Sequence, residues 1–304
     1  MKKVLLLLAT EKGYDVLAHL LKSKWGVSIG GVVSFHEIGV IKDFCDDIEN
    51  LSRKNGINFY QWNQVKDELE TVIKDNDITG VIAISWRYLL PLSLNKILDD
   101  KIIVFHDSLL PKYRGFAPVV TAMLCGEKEI GATVLYAQEE VDSGEIILQK
   151  TFPITSNMYL EDAVKKMSEV YCELIIDLLS SMQDGTISSH PQNDKNATYS
   201  IWRDEEDYWI DWNWSAEKIS QFIHSLGNPY KGALSKESNS LIRITKCSLL
   251  SQDIDFAIRD VGKIWKIDDG KPVVVCGKGL ICIEEAFDEN GKKHIFSKVR
   301  SRLG

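Results

Sequence analysis

Residues 102–115 read Ile102-Ile103-Val104-Phe105-His106-Asp107-Ser108-Leu109-Leu110-Pro111-Lys112-Tyr113-Arg114-Gly115. The apolar, largely β-branched run at their start fits a strand covered on both faces. Pro111 and Gly115 punctuate the loop that follows, so His106 closes a strand and opens a loop. In an open parallel sheet, ligands bind where loops leave the carboxyl ends of strands. A titratable histidine at such an end is placed for proton chemistry. It also serves simply as a hydrogen-bonding cap, and alone it does not decide between the two.

Outward from this stretch the same texture repeats. Continuous apolar runs at 4–8, 29–35 and 79–85 read as strands. Amphipathic helical patterns at about 14–24 and the more polar 41–55 lie between them, and another helix closes at 72–75. Strands alternating with helices predict βα units and a Rossmann-like, mostly parallel sheet of the α/β class. A further strand is expected at 131–137. A long helix at about 159–182 carries Val164, Met167, Tyr171, Leu174 and Leu178 as one apolar stripe and stops at Gly185. Residues 186–200 turn polar, which places a boundary between a domain at 1–200 and a second at 201–304. The second is predicted to hold a helix at 215–226 and short strands at 241–245, 262–267, 272–275 and 280–284. Asp268-Asp269-Gly270 and Asn290-Gly291 serve as turns, a pattern suited to a small OB-like β-barrel.

Bulk properties narrow the function. The 304 residues carry a net charge of −8, with 44% hydrophobic and 26% charged side chains. That is ordinary for a globular chain, and no basic run offers itself to a polyphosphate partner. The six cysteines are scattered with no CxxC pair, so no zinc or thioredoxin site is expected, and metal ligation is not predicted. The start, Met1-Lys2-Lys3 and a short apolar run, is followed at once by Glu11, Lys12 and Asp15, unlike a signal peptide. No apolar stretch approaches the roughly 20 residues of a membrane helix. A cytoplasmic protein without membrane contact is expected, and self-association as a homodimer is left open.

A second element joins His106. Val141-Asp142-Ser143-Gly144 places an aspartate on a glycine-containing turn, at about the separation one helix crossover spans between neighbouring strand ends. A carboxylate beside an imidazole orients it and can take a proton from an attacking nucleophile. As a lone residue Asp142 reads equally as a turn former.

Taken together, His106-x-Ser108-Leu109-Leu110-Pro111-x-x-Arg114-Gly115 followed by Asp142-x-Gly144 resembles the folate-dependent formyltransferases. This family includes methionyl-tRNA formyltransferase, glycinamide ribonucleotide transformylase and the nucleotide-sugar N-formyltransferases. Trp86-Arg87-Tyr88-Leu89-Leu90-Pro91 falls where the family contacts folate. Ala197-Thr198-Tyr199, Ile210-Asp211-Trp212 and Gly232-Ala233 resemble its carboxyl-terminal, OB-like domain. The resemblance implies formyl transfer from 10-formyltetrahydrofolate to a primary amine, with His106 and Asp142 catalytic. It implies Trp86, Arg87, Tyr88, Leu89 and Val141 at the donor, and Ser108, Lys112, Tyr113 and Arg114 at the acceptor. Arg114 reads either as a bidentate phosphate binder or as a brace for the loop, the latter being favoured. Trp202, Trp209, Trp212 and Trp214 are expected to cluster.

One position departs from the pattern. The family's asparagine two residues before the histidine is Val104 here, which neither donates nor accepts a hydrogen bond. Three accounts stand: inactivity, replacement by another donor such as Ser85 or a backbone N–H, or greater reliance on His106. The intact remainder of the motif favours activity. Among acceptors, the negative net charge ranks tRNA below a small molecule, and the second domain argues against glycinamide ribonucleotide. A nucleotide-linked amino sugar for surface glycan assembly is the expectation. The variant Phe105-His106-Asp107-Ser108 resembles enzymes acting on pseudaminic-acid precursors. The alternatives are methionyl-tRNA formyltransferase and a non-catalytic folate or nucleotide-sugar binding protein.

Overall fold

Short aliphatic runs supply the strands of the first part of the chain, and their burial shows why they had to be apolar throughout. In the computed structural model, which describes residues 2–38, 42–238, 240–251, 254–296 and 298–304, strand β1 (Lys3–Leu8) has Val4 through Leu8 fully buried. Helix α1 (Thr10–Lys22) buries Val16, Leu17 and Leu20, and β2 (Ile29–Ser34) follows. Next come α2 (Cys45–Lys54), β3 (Phe59–Gln61), α3 (Trp62–Val65), α4 (Leu69–Asp75) and β4 (Ile78–Ile84). The polar helix expected at 41–55 thus starts at Cys45, and Ile41 lies outside the described residues. Strand β5 (Ile102–His106) ends at the histidine, and a two-residue strand β6 (Arg114–Gly115) closes the loop after it. Helix α5 (Pro118–Leu124), β7 (Glu129–Tyr136), β8 (Ile146–Pro153) and the 25-residue α6 (Leu160–Asp184) complete this stretch, with β9 (Tyr199–Ser200) pairing to β6.

The seven-stranded sheet has the order β3-β2-β1-β4-β5-β7-β8. Its first five strands are mutually parallel, whereas β7 runs antiparallel to β5 and β8 antiparallel to β7. This corrects one expectation. The chain between His106 and Asp142 does not cross over to a parallel neighbour. It reverses through α5 into β7, and Asp142 sits on the β7–β8 connection. Antiparallel neighbours need only a tight connection, so the spacing alone did not discriminate.

Two compact units divide the chain. One holds residues 1–118, 129–153 and 164–201, and the other 119–128, 154–163 and 202–304. The second unit is built on α7 (Ala216–Ser225), β10 (Ala233–Glu237), β11 (Ser240–Leu249), β12 (Ile264–Asp268), β13 (Lys271–Val275) and β14 (Leu280–Asp288). Ser215 caps α7 by accepting a hydrogen bond from Lys218 N at 3.3 Å, and Ile219 and Ile223 face inward. The strands form an antiparallel sheet ordered β10-β11-β14-β13-β12. Its two edges are bridged by the final residues: Leu303 pairs with Glu237 and Arg302 with Lys263. The terminal segment thus pairs with one end of each edge strand, where an unpaired edge would otherwise invite another chain.

The four tryptophans at the start of this unit do not form one cluster. Trp212 is buried and donates through Nε1 to Ser235 Oγ at 3.1 Å, Trp214 stacks edge-on with Phe222, Trp209 lies under Lys236, and Trp202 is 66% exposed. All six cysteines are free, with Cys45, Cys247 and Cys276 buried. Burial pushes the Cys247 and Cys276 thiols up to about 12, which suits inert packing groups. Among the described residues no helix is long and apolar enough to cross a membrane.

Candidate active site

His106 is brought to its place by the strand alternation of β5, which sets it on the same face as Val104. Its ring is almost wholly buried. Nε2 lies 2.8 Å from the carbonyl oxygen of Tyr113, to which it donates, and Nδ1 lies 3.4 Å from Asp142 Oδ2. Both ring nitrogens therefore face acceptors.

Asp142 is held by its loop rather than by a strand. Its backbone is left-handed, at φ 54°, and Oδ2 accepts a 2.8 Å hydrogen bond from Gly115 N. Its other oxygen makes no hydrogen bond among the described residues. The loop must cross close over the end of β7, where a Cβ on Gly144 would overlap the Tyr136 carbonyl, so only glycine fits. Gln192 ties the loop down, donating through Nε2 to Asp142 O at 2.8 Å and Gly144 O at 2.7 Å.

The motif loop is braced internally. Ser108 is buried and donates to Lys112 O at 2.6 Å, while Thr133 and Gln149 satisfy the carbonyls of Ser108 and Leu110. Tyr113 N donates to Thr198 Oγ1 at 2.9 Å. Gly115, at φ 99°, passes so near Ser200 that a side chain would collide with its carbonyl. Arg114 is 2% exposed. Its guanidinium donates to Gln192 Oε1 at 2.7 and 3.1 Å and to Asp194 Oδ1 at 2.7 Å. Burial works against its charge, yet the bonds to Asp194 and Tyr199 outweigh it and raise its pKa. These bonds tie the motif loop to residues 192 and 194. Lys112 is exposed beside it.

Residues 86–91 follow β4. Trp86 packs edge-on against Phe35 and Trp62, and Tyr88 stacks with Trp62 at 5.5 Å. Arg87 is turned away into an ion pair with Glu37, over the ring of Phe35. Leu89 and Val141 are exposed. Two buried polar atoms here, Ser85 Oγ and Trp86 Nε1, have no hydrogen-bond partner among the described residues. A cleft of about 360 Å³ lined by Leu92, Ala137, Gln138, Glu139, Glu140 and Ser143 adjoins the loop that carries Asp142.

Two residues without a motif also meet at this end of the sheet. Asp107 receives an ion pair from Lys12 of α1 and a hydrogen bond from Tyr171 of α6. Burial tends to raise the Asp107 carboxyl, but Lys12 and Tyr171 outweigh it and hold it below its usual range. Burial and Asp107 together hold the Tyr171 hydroxyl well above its ordinary value. Lys12 carries no sequence signal for this role, since it lies nearly a hundred residues from its partner. Among the described residues no group of three His, Cys, Asp or Glu could hold a metal.

A profile of the formyl transferase family matches residues 3–179, and one of the formyl transferase C-terminal domain matches residues 203–298. Methionyl-tRNA formyltransferase of Bartonella quintana is 32% identical over 254 residues, 83% of this chain and 81% of its own. That of Caldanaerobacter subterraneus subsp. tengcongensis is 26% identical over 285 residues, 93% of this chain and 87% of its own. Two solved structures share the fold at 17% identity. WlaRD, a sugar 3N-formyl transferase crystallised with dTDP and 5-N-formyl-THF, has a TM-score of 0.69 over 98% of this chain and 99% of its own. The N-formyltransferase of Helicobacter canadensis, in complex with folinic acid and dTDP-3-aminofucose, has a TM-score of 0.70 over 97% and 100%.

Proposed function

This chain belongs to the formyl transferase family, and from that premise we propose that it moves a formyl group from 10-formyltetrahydrofolate to the primary amine of a nucleotide-linked amino sugar. The observation that carries the chemistry is the buried His106 with Asp142 at 3.4 Å. When bound, the folate supplies a formyl carbon already activated on nitrogen. Asp142, with one carboxylate oxygen uncommitted, accepts the proton that the attacking amine sheds, directly or through one water. His106 holds that carboxylate in register and stabilises its charge.

The residues present fit the donor. The indole N–H of Trp86, unpartnered among the described residues, suits the edge of a heteroaromatic ring and its polar substituents. Trp86, Tyr88, Leu89 and Val141 are assigned to this side. Arg87, already paired with Glu37, supports the loop from behind. On the acceptor side, Lys112 is the exposed cation for a nucleotide phosphate, while Ser108 and Arg114 shape the loop and Tyr113 presents its backbone to His106.

The sugar class is supported by the net charge of −8, which disfavours a polyanionic acceptor, and by fold neighbours whose structures hold dTDP or a dTDP-linked amino sugar. Sequence relatives named methionyl-tRNA formyltransferase favour tRNA as the second reading. The test follows tetrahydrofolate release from 10-formyltetrahydrofolate with UDP- and dTDP-linked amino sugars, including pseudaminic-acid precursors, and with formylatable tRNA. Release with a sugar alone is expected. Release with tRNA alone overturns the acceptor, and no release with any acceptor overturns the enzyme.

A further inference from the structure

Formyl transfer places negative charge on the formyl oxygen, and acceleration needs a hydrogen-bond donor already aimed at that oxygen in a water-poor site. The groups nearest the end of β5 are spent or unsuited. His106 Nε2 donates to the Tyr113 carbonyl, and Nδ1 faces Asp142. The N–H of Gly115 is given to Asp142. Val104, on the same face of β5 as His106, is apolar and packs against Leu110, Leu135 and Ile146.

Ser85 is different on three counts. It follows β4 directly, and the parallel register ends with Ile84 beside Phe105, so Ser85 and His106 both come at the carboxyl ends of neighbouring strands. Its hydroxyl is buried yet has no hydrogen-bond partner among the described residues. Its backbone is held left-handed at φ 53°, a conformation serine keeps only where its surroundings impose it. Buried hydroxyls are nearly always paired, so an orphan on constrained backbone marks a donor whose partner arrives with the substrate.

We propose that Ser85 is a catalytic residue whose hydroxyl donates to the formyl oxygen as charge builds on it. The inference rests on the formyl-transfer reading above. In the balanced step, the amine nitrogen bonds to the formyl carbon while the carbonyl π pair moves onto the oxygen that Ser85 bonds. The pair then returns as the bond from carbon to the folate nitrogen breaks, and the proton taken by Asp142 goes to that nitrogen. Ser85 keeps its own proton throughout, and nothing is oxidised or reduced.

The experiment compares Ser85→Ala and Ser85→Gly with the wild-type full-length chain, using the acceptor that supports transfer. Glycine removes the hydroxyl and accepts the left-handed backbone freely, so it serves if alanine is strained. Both variants should lose about 10²- to 10³-fold in kcat while the KM for the folate and the Tm stay near wild type. A kcat within about threefold of wild type in either variant overturns the proposal, as does a rate loss that follows a fall in Tm in both. Wild-type transfer with unaffected variants removes this inference alone. No transfer by the wild type removes the functional reading as well.

Discussion

At Asp142 the two carboxylate oxygens do different work: Oδ2 is anchored by Gly115 N and faces His106, and the other is uncommitted. Asp142→Asn keeps an oxygen for Gly115 but removes the proton acceptor. Its formyl transfer should fall about 10²- to 10⁴-fold with Tm close to wild type. His106→Ala should lose activity similarly and also lose stability by about 1 kcal/mol, because the Tyr113 carbonyl loses its short bond and keeps only the 3.4 Å bond from Ser200 Oγ. Steady-state turnover and thermal melts on the two variants separate these outcomes. Equal melting temperatures would show that the Tyr113 bond contributes nothing to the fold. At this scale the motif made His106 and Asp142 legible. Arg114 was legible only as two alternatives, because Gln192 and Asp194, its partners, lie in a polar stretch with no motif of its own.

At the scale of elements, Asp107 ties α1 and α6 to the end of β5 through Lys12 and Tyr171. Lys12→Met leaves this carboxylate without its cation and should destabilise the first unit by about 3 kcal/mol at neutral pH, the low end for a buried pair. The pH dependence has a definite sign. In the wild type Asp107 sits below its ordinary value, so its contribution is present above about pH 4 and is lost as pH falls through the lowered folded value. In the variant only Tyr171 and His106 still oppose burial, so the folded value should rise and the deficit should shrink on acidification toward pH 4. Urea midpoints at several pH values measure this, and a pH-independent deficit would contradict the account. Helix periodicity exposed Tyr171 as part of a buried stripe, but its hydroxyl faces a carboxylate that only the packing of α6 against β5 supplies.

For the molecule as a whole, closure of the second unit depends on its last residues. Ile264 N donates to Ser301 O, Leu303 N to Gly262 O, and Lys236 and Gly304 exchange a pair of bonds. Leu303 itself is 1% exposed. Deleting residues 301–304 should cost about 3 kcal/mol or more, from the buried leucine and the lost pairing. It should also promote concentration-dependent association through the two opened edges. Thermal melts and size-exclusion profiles across a concentration series report both, and an unchanged profile would deny the terminal segment its role.

Local chemistry determined much of this protein before any packing was known. Continuous aliphatic runs specified the parallel strands, the 3.6-residue stripe specified α6, and the string from His106 to Gly115 with Asp142 specified the pair proposed here as catalytic. Periodicity and turn residues act over a few positions, so they are written in neighbouring residues. Tertiary structure alone decided the rest: the antiparallel turn of β7 and β8, the burial of Arg114, the Lys12–Asp107–Tyr171 tie, and the buried Ser85 hydroxyl with no hydrogen-bond partner among the described residues. Each depends on which distant side chains the sheet order brings together. A hydrogen bond or ion pair carries no periodicity by which spacing could announce it.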